Sequence, residues 1–225
     1  MMEKQLSKYI DHTNLKPMAQ KMDIEKLCTE AARWHFASVC VNPYNVSLAK
    51  ALLKGTDVNV CTVIGFPLGA NTTKIKVMEA QEAYENGCDE FDMVINIGAL
   101  KDGLYDYVRD EIKAIVEAVK GKTVKVIIET GLLTEYEKSM ATKLACDAGA
   151  QFVKTCTGVS PGKATVEDVK LMAENIPEYE DVHVKASSGI RTYEDALALI
   201  EAGAERLGTS AGIAIIEGAE NVGNL

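Results

Sequence analysis

The side chains that can carry out covalent chemistry in this sequence are two lysines and two aspartates at alternating positions of short apolar segments. Three of these segments are EFDMVIN, QFVKTC and DVHVKAS. Side chains alternate between the two faces of a strand, so apolar residues packed against helices would leave Asp92, Lys154 and Lys185 facing an interior. By the same alternation, Asp11 in YIDHTNL and Cys40 in SVCVN face that interior. Further side chains expected inside are Val94, Asn96, Phe152, Cys156 and His183.

The paired lysines indicate a Schiff-base mechanism. A lysine amine attacks a carbonyl only when it is neutral, which requires its pKa to fall from about 10.4 toward neutrality. Lys154 and Lys185 would lie on adjacent strands about 4.8 Å apart, close enough for the charge on one to favour a neutral amine on the other. Asp92 can then help to move protons at a reacting hydroxyl, so aldol cleavage becomes feasible without a metal. The alternative is a network of Lys–Asp salt bridges that serves packing only.

Glycine-bearing turns follow the last three predicted strands. ThrCysThrGly ends at Gly158, AlaSerSerGly ends at Gly189, and GlyThrSerAlaGly begins at Gly208. In barrels, the turns after the seventh and eighth strands commonly bind phosphate through backbone N–H groups and a short helix N-terminus. Each turn alone fits an ordinary loop, but the three together on one face predict a phosphate site.

Eight short β-rich runs, each followed by a helical pattern, position these side chains. The predicted strands are Tyr9–Leu15, Ser38–Asn42, Asn59–Ile64, Glu90–Asn96, Val124–Glu129, Phe152–Cys156, Val182–Ala186 and Arg206–Thr209. The predicted helices cover 23–34, 43–53, 72–86, 103–119, 134–148, 165–175, 192–202 and 210–217. Capping patterns begin at Thr134, Thr165 and Thr192, and glycines mark several helix ends. This alternation predicts an α/β fold, a single (β/α)8 TIM-barrel domain over residues 1–225.

The composition argues against several classes of partner. The 225 residues include 33 acidic and 24 basic side chains, and the net charge of −9 disfavours binding to nucleic acid or anionic membrane. No apolar run approaches the roughly 20 residues of a membrane span, and the N-terminal segment lacks the apolar core of a secretion signal. Six cysteines without a CxxC pair and three scattered histidines predict reduced thiols, a cytoplasmic protein and no metal.

Eight segments in the same order make the sequence resemble the deoxyribose-phosphate aldolase family: IDHTNLKP, SVCVNP, TVIGFPLGA, EFDMVINIGAL, VKVIIETGLL, FVKTCTG, VKASSGIRT and RLGTSAG. The resemblance implies a class I aldolase that reversibly cleaves 2-deoxyribose 5-phosphate to glyceraldehyde 3-phosphate and acetaldehyde. It implies no cofactor and a homodimer. In that family pattern Lys154 is the Schiff-base lysine, Lys185 the lysine that perturbs it, and Asp92 the proton-relay acid.

Other roles follow from the same resemblance. Asp11 would belong to the polar network around Lys185, and Cys40 would lie near the substrate without being required for chemistry. The implied phosphate-contacting residues are Gly158, Ser188, Gly189, Gly208, Thr209 and Ser210. Two departures stand out: Ser188 occupies a position where the family often has glycine, and the chain ends AsnValGlyAsnLeu where many members end in a tyrosine that assists proton transfer. We therefore expect lower activity or a different proton route.

Two other functions stay open. Another Schiff-base barrel, such as a transaldolase-like or keto-acid aldolase, would share the strand lysine, although the paired VK strands and the TCTG turn weigh against it. A phosphosugar-binding barrel without activity is disfavoured by the joint presence of Lys154, Lys185 and Asp92. Other candidates for contact with an anionic substrate are Lys16, Lys125 and Arg191, for which solvated or salt-bridged structural roles are equally open.

Overall fold

The computed structural model describes residues 5–223, which form a closed barrel of parallel strands. Each strand pairs with the next in the chain, and β8 pairs with β1. The strands are β1 Ile10–Asn14, β2 Ser38–Val41, β3 Asn59–Ile64, β4 Glu90–Val94, β5 Thr123–Ile127, β6 Phe152–Lys154, β7 His183–Ser187 and β8 Ala204–Thr209. The predicted (β/α)8 TIM barrel is therefore confirmed. The last two residues of the ending AsnValGlyAsnLeu lie outside the described part, so the expectation drawn from that ending stays a prediction.

Helices follow the strands around the barrel. They are α1 Lys21–Trp34, α2 Val46–Leu52, α3 Thr73–Glu85, α4 Ile97–Lys101, α5 Tyr105–Ala118, α6 Glu135–Asp147, α7 Val166–Glu174, α8 Tyr193–Glu201 and α9 Gly212–Gly223. Short 3-10 turns cover Leu6–Tyr9, Pro43–Asn45 and Thr130–Leu132. Because the first of these turns includes Tyr9, β1 begins one residue later than predicted.

The short helix α4 is absent from the sequence prediction, which has one helix over 103–119. Its N-cap is Asn96, whose side chain accepts the N–H of Ala99 at 3.0 Å. The alternation that predicts an inward Asn96 stops at Val94, where β4 ends. Asn96 therefore serves the start of a helix, for which asparagine is a preferred residue.

Several strands end earlier than predicted, at the edge where the loops of a barrel enzyme begin. β6 ends at Lys154 instead of Cys156, and β5 ends at Ile127 instead of Glu129. Glu129 adopts a left-handed backbone with φ of 60°, which a strand cannot contain. Apolar alternation continues past the last strand pair in the sequence, so it overestimates strand length.

Helix caps agree closely with the sequence patterns. Thr134, Thr165 and Thr192 are N-caps whose side chains accept a backbone N–H from the residue three positions later. Left-handed glycines follow α3, α6 and α8 at Gly87, Gly149 and Gly203. These local signals set where the helices begin and end.

The main core lies between the strands and the helices. Phe91, Met93, Val126 and Val153 are all fully buried there. A smaller apolar cluster of buried residues comprises Cys40, Cys61 and Val63. Within residues 5–223, none of the helices combines the length and apolar character that a membrane crossing requires.

Candidate active site

A single carboxylate, that of Asp92 on β4, joins three lysines inside the barrel. Its Oδ2 accepts from Nζ of Lys154 and of Lys185, each at 2.7 Å, and its Oδ1 accepts from Nζ of Lys125 at 2.8 Å. Lys154 is 3% exposed, and the other three residues are 0% exposed. The predicted convergence of Asp92, Lys154 and Lys185 is confirmed by these contacts, while their catalytic roles stay predictions.

Strand register brings these side chains together. Lys154 on β6 pairs with Lys185 on β7, and Asp92 pairs with Lys125 on β5. Paired residues on adjacent parallel strands project from the same face of the sheet, about 4.8 Å apart. The neighbouring residue Val153 is fully buried in the outer core, so the alternation directs Lys154 into the barrel.

Asp11 on β1 completes the surroundings of Lys185. Its Oδ2 lies 2.5 Å from Nζ of Lys185, and its Oδ1 accepts from Ser38 Oγ and Arg206 Nη1, each at 2.7 Å. Burial opposes the charge on Lys185, but the carboxylates of Asp11 and Asp92 outweigh burial and raise the pKa of this lysine. Lys185 is therefore held as a cation in the interior.

The carboxyl groups respond in the opposite direction. Burial alone would raise the pKa of Asp92, yet Lys125, Lys154 and Lys185 hold it well below its usual range. Burial would likewise raise the pKa of Asp11, but the positive charge of Arg206 and then those of the lysines outweigh this effect, so its pKa also falls. Both groups are carboxylates at neutral pH, and both can accept hydrogen bonds from neighbouring cations.

Glu90, Lys125 and Arg206 form a further layer of charge. Of these three, the sequence analysis named only Lys125, as a candidate for contact with an anionic substrate. Nζ of Lys125 lies 2.7 Å from Glu90 Oε2, to which Arg206 Nη1 donates at 3.0 Å. Of the roles open to Lys125, the structure shows the salt-bridged one, because this lysine is fully buried and does not line the cleft described below. The signal was present in the strand TVKVI, where Lys125 alternates with Val124 and Val126.

Cys40 lies against the lysine cluster and is 1% exposed. The thiol of its neighbour Cys61 donates to Asp92 Oδ1 at 3.1 Å. Ligand atoms of Cys40, Cys61 and Asp92 lie within 4.8 Å of one another, a spacing that a metal ion can use. The ammonium groups that contact Asp92 repel a divalent cation, however, so the charge of this cluster does not suit one.

A cleft of about 730 Å³ opens at the C-terminal ends of the strands, and Lys154 is part of its lining. The residues predicted to contact phosphate all line this cleft: Gly158, Ser188, Gly189, Gly208, Thr209 and Ser210. They belong to the loops after β6 and β7 and to the junction of β8 with α9. Lys16 and Arg191 also line the cleft and supply positive charge there. The predicted site residues that do not line it are Asp11, Cys40, Asp92 and Lys185.

The backbone of these loops approaches the cleft in left-handed conformations. Gly158 and Gly189 have φ of 83° and 80°, and Ser188, which precedes Gly189 in the second turn, has φ of 83°. A Cβ atom at Gly208 would lie 2.8 Å from Cβ of Ser187, so only glycine fits there without displacement. The glycine that the family resemblance leads us to expect at 188 would therefore suit this backbone better than serine.

Two side chains expected inside the barrel lie away from the cleft. His183 is the first residue of β7, where its Nδ1 lies 2.7 Å from Glu205 Oε1 and its ring packs at a tilt of 52° against that of Phe152. This position is the N-terminal mouth of the barrel, which agrees with a structural role for His183. Cys156 lies beyond the end of β6, and its Sγ is 3.4 Å from Thr130 Oγ1.

Comparison with known families agrees with this geometry. The family described as "DeoC/LacD family aldolase" matches residues 6–218. The chain belongs to this aldolase family. A relative named deoxyribose-phosphate aldolase from Thermococcus gammatolerans is 61% identical over 221 residues, 96% of this chain and 97% of the relative. Another of that name, from Clostridium perfringens strain SM101, is 60% identical over 219 residues, 97% of each chain.

Solved structures show the same fold. A structure described as "QR15, an Aldolase" superposes with a TM-score of 0.92 at 42% identity and covers 98% of both chains. Deoxyribose phosphate aldolase from Aeropyrum pernix, described as having a unique tetrameric structure, gives a TM-score of 0.88 at 33% identity, over 96% of this chain and 92% of that one.

Ser188→Gly should stabilise this DeoC/LacD aldolase by about 0.5–1 kcal/mol, because a left-handed backbone costs a serine more than it costs glycine. Ser188→Ala is the matched control, since it removes the hydroxyl but keeps the backbone strain, and it should give no such gain. Urea unfolding of the three proteins measures the difference. Equal gains from both variants would mean that the hydroxyl, and not the backbone, carries the strain.

Proposed function

We propose that this aldolase reversibly cleaves 2-deoxy-D-ribose 5-phosphate to D-glyceraldehyde 3-phosphate and acetaldehyde through a Schiff base on Lys154. The observation that carries the proposal is the position of Lys154, which reaches the cleft while its amine shares one carboxylate oxygen with the cation of Lys185. The names of relatives at 61% and 60% identity support deoxyribose phosphate as the substrate.

The first step is attack of the neutral amine of Lys154 on the aldehyde carbon of the open-chain sugar. The resulting carbinolamine loses water and becomes an iminium ion. Lys185 supports this step as a second cation on the same carboxylate, because a neighbouring positive charge disfavours a proton on the nucleophile. The iminium is itself the electron sink, so the reaction needs no cofactor.

The iminium then withdraws electrons from the bond between C2 and C3 of the sugar. That bond breaks as the C3 hydroxyl loses its proton, which releases glyceraldehyde 3-phosphate and leaves an enamine on Lys154. Protonation of the enamine carbon and hydrolysis of the imine release acetaldehyde and restore the amine. Asp92 relays protons in these steps, with Lys185 as its hydrogen-bonded neighbour.

The phosphate of the sugar lies, in this proposal, against the glycine-bearing loops on the same side of the cleft. Gly158, Gly189 and Gly208 leave backbone N–H groups free of side-chain cover, and Ser188 and Ser210 add hydroxyl donors. α9 starts at Gly212, two residues after Ser210, so its N-terminus adds a favourable dipole. The substrate would thus be held between its phosphate and the lysine that attacks it.

Borohydride reduction in the presence of acetaldehyde should trap a two-carbon adduct on Lys154, detected by mass spectrometry of the peptide that contains it. Lys154→Met should abolish the adduct, whereas Lys16→Met, at another lysine of the cleft, should retain it. An adduct with a different carbonyl donor but none with acetaldehyde would favour another Schiff-base aldolase. No adduct on a folded protein that still binds the sugar phosphate would favour a phosphosugar-binding barrel.

Ser210→Asp should raise KM for deoxyribose 5-phosphate by about tenfold or more, because its carboxylate would repel the phosphate. The rate with unphosphorylated deoxyribose should change much less, which separates a phosphate effect from general damage. Ser47→Asp, at an exposed serine on α2 that does not line the cleft, is the control. Equal losses with both sugars would contradict the assignment of phosphate to these loops.

We also propose that the protein works as a cytoplasmic homodimer. All six cysteines are buried and free, as expected for a reducing compartment. A second copy could bind to the exposed apolar side chains on α3 and at the start of α5. These are Ile75, Met78, Leu104 and Tyr107. Light scattering of the purified chain should give the mass of two chains. A monomer would contradict the proposal, and a tetramer would match instead the assembly described for the Aeropyrum pernix relative.

A further inference from the structure

The charges inside the barrel do not balance. Seven charged residues form one connected set, in which each member makes an ion pair with at least one other. They are Asp11, Glu90, Asp92, Lys125, Lys154, Lys185 and Arg206. Three are carboxylates and four are bases, so full protonation of the bases would leave one uncompensated positive charge. A buried uncompensated charge is costly, and one base is therefore favoured to lose its proton.

Three of the bases are tied to carboxylates more firmly than Lys154 is. Lys125 contacts Asp92 and Glu90, and Lys185 contacts Asp11 and Asp92. For both lysines burial opposes the charge, yet the carboxylates outweigh it and raise the pKa.

Arg206 is held in the same way, by Asp11 and Glu90, which raise its pKa against the effect of burial. Among the ion pairs of the described residues, Lys154 has a single carboxylate, Asp92, which it shares with two other lysines. Lys154 is thus the base of this set with the fewest carboxylate partners.

We propose that Glu90 and Arg206, which do not touch the cleft, set the pH range in which Lys154 is a nucleophile. Their charges reach it through a chain of buried ion pairs: Arg206 acts through Asp11 and Lys185, and Glu90 acts through Lys125. Both are positioning residues in this proposal, which rests on the proposed function.

The location of the pair supports an effect through charge and not through substrate contact. Glu90 is the first residue of β4, and the guanidinium of Arg206 stacks on Phe152, the first residue of β6. Both lie toward the N-terminal mouth of the barrel, whereas the cleft opens at the other end. Asn59, at the start of β3, donates to Glu90 and closes that side of the network.

Other titratable groups also face this cluster. The thiols of Cys40 and Cys61 approach it from β2 and β3. A hydrogen bond to Cys61 lowers the pKa of Cys40, and burial raises that of Cys61. Glu129, buried in the loop after β5, is not a member of this set: its carboxylate accepts from Thr157, and among the ion pairs of residues 5–223 it has none with these groups. These groups are unchanged when Glu90 or Arg206 is replaced, so differences among such variants report on Glu90 and Arg206.

The two replacements have opposite expected effects. Arg206→Met removes a positive charge and makes the ammonium form of Lys154 more favourable, so the lower limb of the kcat/KM profile moves to higher pH. Glu90→Gln removes a negative charge and moves the same limb to lower pH. Arg206 lies two strands from Lys154, roughly 10 Å away, which corresponds to about one pH unit at an effective dielectric constant near 20.

The experiment is the pH dependence of kcat/KM for deoxyribose 5-phosphate cleavage by the wild type, both single variants and the double variant. We expect limbs that move in opposite directions in the single variants and return close to wild type in Glu90→Gln/Arg206→Met. If Arg206→Met does not fold, the downward shift of Glu90→Gln and the near-normal limb of the double variant still decide the question. Limbs that do not move, or move in the same direction, would overturn the proposal.

Two controls separate charge from structure. Arg206→Lys keeps the positive charge and should keep the wild-type limb even if it lowers stability. Lys50→Met removes an exposed charge whose ion pair with Asp89 lies outside the barrel, and solvent screening should leave the limb unchanged. Borohydride trapping on the wild type separates failure of the proposed function from failure of this inference. If Lys154 is not labelled, the proposed function is refuted. If Lys154 is labelled but the lower limb of the pH profile does not move in the variants, only this inference is refuted.

Discussion

The interior of this protein depends on the carboxylate of Asp92 being shared by lysines from three different strands. In a low-dielectric interior each of these charges would be unstable alone, and an ion pair there is favourable only when its geometry and hydrogen bonds are nearly complete. Both oxygens of Asp92 are engaged, at 2.7 and 2.8 Å, and they connect Lys154 to the other interior charges. Its loss would leave the ammonium groups facing one another.

Such an interior contributes little to stability, so the stability of the barrel has to come from elsewhere. Barrels of this kind usually fill their interior with branched apolar side chains. Here charged residues take much of that space, and the apolar core lies mainly between the strands and the helices. Caps and left-handed glycines set the ends of several helices, and apolar packing against the strands holds these helices on the barrel. The molecule thus separates the layer that stabilises it from the layer that can react.

The site is divided between rigid and adaptable parts in the same way. Asp92, Lys154 and Lys185 lie on strands, and the backbone hydrogen bonds between adjacent strands set their spacing. Loop residues line the rest of the cleft, where left-handed backbone at positions such as Ser188 exposes N–H groups. Family membership and the names of relatives agree with an aldolase built on this division. Loops tolerate substitution better than strands, so a serine can replace a glycine beside the cleft while the lysines stay in place.

The sequence by itself determined the barrel, because alternation along the strands and caps at several helix ends are local signals. It also identified Asp92, Lys154 and Lys185, since each stands between apolar residues that must face the helices. Only the tertiary structure decided which charges pair. Asp11 and Arg206 are separated by 195 positions in the chain, and Lys185 and Asp92 by 93, yet both pairs are hydrogen-bonded. Periodicity predicts which face of the strand a side chain is on, but strand register and barrel closure determine its partner. For that reason only the folded protein shows that Glu90, Lys125 and Arg206 are part of the charge network.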